Sequence, residues 1–199
     1  MLTKLKAKVQ SAVASQAKAA NRIGLSPNMI SGIGLGLALL SAINYASGRG
    51  NLPYAVVLLL LSGYCDMLDG ALARLHGKTT TFGGFLDSML DRYADAAMYI
   101  GLIIGGLCSA PWGLAALVGS LLVSYARARA ESAGIKMETI GVAERPERLL
   151  TIAAASLVEM VIANALELAV IFLTFLTNLT VFQRSFYAYR TLKKEEEPS

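Results

Sequence analysis

Asp66, Asp69, Asp87 and Asp91 stand between two long apolar runs, and the neighbouring sequence supplies too few cations to neutralise four carboxylates. An ionisable side chain at membrane depth costs roughly 2.5–3.5 kcal/mol even on a lenient insertion scale, so a group of four calls for partners. Spacings of three and four residues place each pair of carboxylates on one helical face. Two such faces brought together form an all-oxygen cage. Hard divalent cations such as Mg2+, Mn2+ or Ca2+ prefer that donor set.

Phosphate chemistry is written beside the carboxylates. Gly70 and Ala73 leave the carboxylate-bearing face of their segment bare, so that a flat base or a diphosphate can approach the backbone. Gly83 and Gly84 do the same at the entry of the next segment, and Arg74 offers a guanidinium fork for a phosphate. A second cationic set is Arg127, Arg145 and Arg148, in Ser124-Tyr125-Ala126-Arg127 and Gly141-Val-Ala-Glu-Arg145-Pro-Glu-Arg148. Arginine binds phosphate through two parallel hydrogen bonds, so these three suit an acceptor that already carries a phosphate. Their plainer role is to fix topology or to hold anionic headgroups. Arg92 and Asp95, three residues apart, are expected to pair with each other or with a neighbouring helix.

The elements that position these groups are read from composition. The 199 residues are 55% hydrophobic and 16% charged, with a mean hydropathy of +0.53. A soluble domain is nearer one quarter charged. The expectation is therefore one all-α integral membrane domain over residues 1–199. Apolar segments at about 29–47, 53–74, 82–107, 111–130, 147–165 and 167–188 predict six transmembrane helices. Residues 1–25 form a juxtamembrane segment, read as an amphipathic surface helix with Leu2, Leu5, Val9 and Val13 on one side and Lys4, Lys6, Lys8 and Lys18 bordering them. No signal-peptide pattern precedes the first span. Ser26 and Pro27 mark that span's start. Residues 190–199 read as a frayed tail.

Lys and Arg concentrate before span one, between spans two and three, between four and five, and after six, whereas Arg49 alone falls on the opposite loops. The positive-inside bias puts both termini in the cytoplasm of a multi-pass cell-membrane protein. Asp66 and Asp69 then lie 13 and 16 residues past Pro53, roughly 20–24 Å along a helix rising 1.5 Å per residue. Asp87 and Asp91 re-enter at a similar depth, so the site faces the cytoplasm. The net charge of +4 is no nucleic-acid signal, because the basic residues cluster beside apolar segments. Cys65 and Cys108 lie in apolar runs and read as small buried hydrophobes.

The string D-x2-D-G-x2-A-R-x8-G-x3-D-x3-D runs without departure from Asp66 to Asp91. It resembles the signature of the CDP-alcohol phosphotransferases. The resemblance implies a two-metal site, Mg2+ or else Mn2+, that binds the diphosphate of a CDP-linked lipid. Asp66, Asp69, Asp87 and Asp91 are then metal ligands, and Asp91 also takes the proton of the acceptor alcohol. Gly70, Ala73, Arg74 and Gly83 line the cytidine and phosphate pocket. Pro27-Asn28-x2-Ser31 resembles the family's pattern near its first span and implies further nucleotide contacts at Pro27, Asn28 and Ser31. A homodimer is also implied.

The stretches around Arg127, Arg145 and Arg148 are similar to the branch that uses inositol 1-phosphate, with glycerol 3-phosphate as the alternative acceptor. Diacylglycerol and ether-linked archaeol tails suit an apolar groove alike. A rival of another class is a small cation transporter. Such proteins place their sites near the midplane between repeated halves; here the carboxylates lie toward one side and spans four to six carry no second copy of the motif.

Overall fold

The computed structural model describes residues 13–75, 80–137 and 140–196. Six long helices follow one another: α1 (Pro27–Ala46), α2 (Leu52–Leu75), α3 (Thr81–Ile104), α4 (Ala110–Ser132), α5 (Arg145–Glu159) and α6 (Ala165–Glu196). A short 3-10 turn, Arg49–Asn51, leads into α2, and a further helical stretch at 13–22 precedes α1. No strand occurs among the described residues.

Helix starts follow local chemistry. Ser26 caps α1 by accepting from the Met29 amide at 3.3 Å, and Pro27 occupies the first turn, where its missing N–H costs nothing. Thr80 caps α3 by accepting from the Gly83 amide at 3.0 Å. Helix α1 packs along both α2 and α3, and contacts of α3 with α4, α4 with α6, α6 with α5 and α5 with α2 complete the bundle. Small residues make the close crossings. A side chain at Gly101 of α3 would run into the Ala42 carbonyl of α1, and one at Gly119 of α4 into Thr177 of α6. In lipid, where no hydrophobic force drives helices together, such backbone approach supplies the packing.

The apolar core lies at the end of the bundle away from the aspartates. Tyr45, Leu52, Val56, Tyr99, Leu102, Ile152, Leu166 and Leu173 meet there, and the Tyr45 hydroxyl hydrogen-bonds Ser156 Oγ at 2.9 Å. Polar groups fasten the same end. Arg49 stands 2.6 Å from Glu159, and Ser109 Oγ donates to Glu167 at 2.7 Å. A closed far end lets the helices enclose cavities at the near one.

Three segments, Pro27–Ala46, Arg49–Leu75 and Ala165–Lys193, are long and apolar enough to cross a membrane. Large side chains such as Leu40, Val57, Ile100, Val118 and Phe172 face outward, as a lipid-facing surface requires. The chain is an all-helical membrane protein. Helix α3 carries Asp87, Asp91, Arg92 and Asp95, which lower its hydropathy. Helix α5, at 15 residues, rises only about 22 Å, short of the roughly 30 Å hydrocarbon layer.

The structure changes several local expectations. The fifth segment stops at Glu159 rather than 165, because the Glu159 carboxylate accepts from the Asn164 and Leu166 amides at 3.3 and 3.0 Å and closes the corner. Asn164 makes that corner with φ 67°. The C-terminal residues expected to fray from 190 stay helical to Glu196, with the Arg190 guanidinium 4.3 Å above the Phe186 ring. Residues 13–22 dock on protein: Val13, Ala17 and Ala20 pack against Ile30, Ala71 and Leu72, while Lys18 is exposed. The remaining stripe residues Leu2, Leu5 and Val9 and the lysines Lys4, Lys6 and Lys8 lie outside the described residues.

Candidate active site

Helices α2 and α3 bring their carboxylates together through the i, i+3 and i, i+4 spacing of each pair. One oxygen each from Asp66, Asp69 and Asp87 lies within 4.8 Å of the others. Asp69 is buried, and α1 reaches it through Ser31, whose hydroxyl donates to Asp69 Oδ2 at 2.6 Å. Asp91 stands outside this trio and turns toward α5, where Arg145 NH1 lies 2.8 Å from Asp91 Oδ1 and 2.9 Å from Asp66 Oδ2. These two contacts are ion pairs in which the N–H bonds do not point squarely at either oxygen.

Asp95, one turn further along α3, is also buried and takes both arginines of α5. Arg148 NH2 lies 2.7 Å from Asp95 Oδ2, and Arg145 Nε donates to Asp95 Oδ1 at 3.3 Å. Of the two partners expected for Asp95, Arg92 or a neighbouring helix, it takes the neighbouring helix. Asp95 turns inward to the start of α5, while Arg92 NH1 bends back to the Ser88 carbonyl at 2.5 Å.

Asp66, Asp91 and Asp95 pair with the two guanidinium groups of Arg145 and Arg148, and Asp69 and Asp87 stand beside them. The surplus of acid, gathered in an oxygen-only trio, fits a hard divalent cation. Asp66, Asp69 and Asp87 are placed to hold it, with Asp91 at their edge.

Two cavities meet at this cluster. One, of about 350 Å³, is enclosed by α1, α2 and the start of α3. Pro27, Asn28, Ser31, Gly70, Ala73, Arg74 and Gly83, the whole set expected to contact the nucleotide, line it together with Asp69 and Asp87. A side chain at Gly83 would come within 2.8 Å of Thr80 Oγ1, so glycine keeps that wall clear. The Arg74 guanidinium lies over bare Gly70, whose missing Cβ would stand 3.5 Å from Arg74 NH1.

The other cavity, of about 390 Å³, opens between α3, α4, α5 and α6, and Arg127, Arg145 and Arg148 all border it. Arg127 is exposed and donates to Glu131 at 2.8 Å across one helical turn. Asp87 borders both cavities, and Asp91 borders the second. A gap of about 20 Å³ beside Asp66, Asp69, Asp87 and Asp91 lies between them.

Sequence reasoning missed Arg92, Glu144 and Arg184 as walls of the second cavity. Arg92 reads from sequence as a partner of Asp95 or of a neighbouring helix, and Arg184 as one more topological cation. Local spacing carries no signal for a guanidinium that reaches a site from the last helix.

Residues 25–182 match the family of CDP-alcohol phosphatidyltransferases. The archaetidylinositol phosphate synthase of Pyrococcus horikoshii is 38% identical over 193 residues, covering 97% of this chain and 99% of that protein. The enzyme of the same name from Methanothermobacter thermautotrophicus is 43% identical over 175 residues, covering 87% and 88%. Among solved structures, the Mycobacterium tuberculosis phosphatidylinositol phosphate synthase crystallised with CDP-DAG superposes with a TM-score of 0.78 at 29% identity, over 89% of this chain and 93% of that one. The same M. tuberculosis enzyme has been crystallised with manganese and citrate.

Proposed function

Because the chain belongs to the CDP-alcohol phosphatidyltransferase family and is an enzyme of phospholipid biosynthesis, we propose that it transfers the phosphatidyl or archaetidyl group of a CDP-linked lipid to inositol 1-phosphate, releasing CMP. The observation that carries this reading is the meeting of the two cavities at Asp87, with Asp91 on the side of the second. A glycine-walled space sized for a nucleotide lies on one side, and an arginine-walled space lies on the other. The names of the archaeal relatives and of the mycobacterial enzyme support inositol phosphate as the acceptor.

In the proposed reaction an acceptor hydroxyl oxygen bonds to the lipid-side phosphorus of the diphosphate. The phosphorus–oxygen bond to CMP breaks, and CMP leaves with that electron pair. Asp91 takes the hydroxyl proton: its carboxylate borders the acceptor cavity and lies outside the trio that gathers within 4.8 Å. A positioned carboxylate within hydrogen-bond reach serves as general base. Arg145 orients that carboxylate by its contact at 2.8 Å and presents positive charge to the acceptor cavity. Arg127 lies across the cavity as the exposed contact for the acceptor's phosphate, and Arg148 supports Asp95 behind it. On the donor side, Arg74 holds the diphosphate over Gly70, while Pro27, Asn28, Ser31, Ala73 and Gly83 shape the nucleotide space. Asp66, Asp69, Asp87 and Asp91 would hold two divalent cations, Mg2+ or Mn2+, which would supply charge stabilisation for the attacking and departing oxygens; the manganese found with the mycobacterial relative supports a divalent ion in this family.

The proposed setting is a multi-pass homodimer in the cell membrane, with six crossings, both termini in the cytoplasm and both cavities open to it. The lysine and arginine distribution supports that orientation. Purified protein with Mg2+ is offered a CDP-diacylglycerol or a CDP-archaeol together with inositol 1-phosphate, free inositol, glycerol 3-phosphate or serine, and CMP release is measured. Release with inositol 1-phosphate above all others is expected; preference for glycerol 3-phosphate would overturn the acceptor assignment.

A further inference from the structure

The last helix holds no residue of the aspartate cluster, yet two of its side chains grip the chain just before α5. Thr180 Oγ1 accepts from the amides of Val142 and Ala143 at 3.3 and 3.1 Å while donating to the Leu176 carbonyl at 2.9 Å. One turn on, Arg184 Nε donates to the Ile140 carbonyl at 2.8 Å, and its NH1 donates to the Val123 carbonyl of α4 at 2.6 Å. Arg184 is 2% exposed and is spent on these carbonyls, with Glu144 3.8 Å away. From the opposite side Arg148 NH1 donates to the Ala143 carbonyl at 2.9 Å. The strap 140–143 is thus tied by side chains at Ile140, Val142 and Ala143.

Gly141 shows how closely the strap is seated. Its φ of +111° is open to glycine and rarely to other residues, and a side chain there would run into Thr180 Cγ2. Ala143 is fully buried. Glu144, at the N-cap of α5, makes no side-chain capping bond, so the helix does not fix its own start. Arg145 follows directly and must place NH1 between Asp66 and Asp91 while Nε reaches Asp95. A helix start that drifts by one ångström loses that three-way fit.

We infer that Thr180 is a positioning residue for the acceptor cavity: by anchoring the strap 140–143 it sets where Arg145 and Arg148 stand. The inference rests on the reading of that cavity as the acceptor site. Thr180 itself does not border the cavity, whereas Arg184 does.

The test uses full-length protein with Mg2+ and compares Thr180→Val, Thr180→Ser and Arg145→Ala. Valine keeps the methyl group and the shape but loses the acceptor oxygen for both amides, whereas serine keeps the oxygen. Thr180→Val is expected to raise KM for inositol 1-phosphate about tenfold, the scale of a lost buried hydrogen bond, with KM for the CDP-lipid changed less than about twofold. Thr180→Ser is expected to restore the wild-type value. Equal rises in both KM values, an unchanged acceptor KM, or a serine variant as impaired as valine would each overturn the inference. If Arg145→Ala raises the acceptor KM and Thr180→Val does not, only the positioning role fails. If Arg145→Ala also leaves it unchanged, the acceptor reading of the cavity fails and the inference goes with it. Should Thr180→Val not fold, Thr180→Ala carries the test with the same split expected, since alanine also removes the oxygen to which both amides donate.

Discussion

Arg145 NH1 stands 2.8 Å from Asp91 Oδ1, so a guanidinium from the start of α5 touches the carboxylate assigned to take the acceptor's proton. The contact joins two halves of the bundle that have no sequence neighbourhood in common. The same NH1 reaches Asp66, so Asp91 borders the 390 Å³ cavity while staying at the edge of the Asp66, Asp69 and Asp87 trio.

Asp91→Asn preserves the size of that side chain and removes its basicity. Loss of general-base assistance is expected to lower kcat by about 10²–10⁴-fold, with KM for the CDP-lipid little changed. CMP release from purified protein measures it, and turnover near that of the wild type would remove Asp91 from the role.

Asp66, Asp69 and Asp87 are expected to make the enzyme dependent on divalent cations. Chelation should abolish CMP release, and either Mg2+ or Mn2+ should restore it. Asp69→Asn, which replaces a buried carboxylate held by Ser31, should weaken Mn2+ binding read by electron paramagnetic resonance without substrate present. Undiminished Mn2+ affinity in that variant would remove Asp69 from the metal site.

Much of this arrangement was legible in the chain. The spacing of the aspartates put each pair on one face, Ser26 and Pro27 announced the start of α1, and the unbroken motif placed the family. Seven small or polar residues of that motif and of the Pro27 to Ser31 stretch line a single cavity. What sequence could not carry were choices among partners. Asp95 is three residues from Arg92 but 50 and 53 from Arg145 and Arg148, and packing, not proximity along the chain, decided between them. Glu159 reads from sequence as a charge that interrupts a span; in three dimensions its carboxylate ends the helix and holds Arg49. Thr180 reads as one more helical threonine because its two partners lie 38 and 37 residues away.

Arg148 and Asp95 are both buried and 2.7 Å apart, so removing one leaves a charge without its main partner. Arg148→Ala is expected to cost roughly 3–5 kcal/mol of stability, the scale for breaking a buried ion pair from one side. Thermal unfolding in detergent should show the loss, and adding Asp95→Asn to Arg148→Ala should recover part of it. A double variant no more stable than the single one would show that the pair contributes through packing alone.

Gly70 separates the donor cavity's backbone wall from the Arg74 guanidinium. A methyl group there would stand 3.5 Å from Arg74 NH1, an ordinary contact, so Gly70→Ala is expected to leave CDP-lipid KM within about threefold, with the helix slightly firmer because alanine outranks glycine by about 1 kcal/mol in helices. Gly70→Leu cannot be accommodated in the same way. Its branched end must displace Arg74 or fill the space beside Ala73, so the CDP-lipid KM is expected to rise by at least about tenfold, the equivalent of roughly 1.4 kcal/mol. In the proposed reaction inositol 1-phosphate enters through the cavity on the other side of Asp87, and its KM should stay near the wild-type value. Steady-state kinetics with each substrate varied in turn separates the two, and an acceptor KM that rises in step with that of the CDP-lipid would mean that the cavities do not divide donor from acceptor.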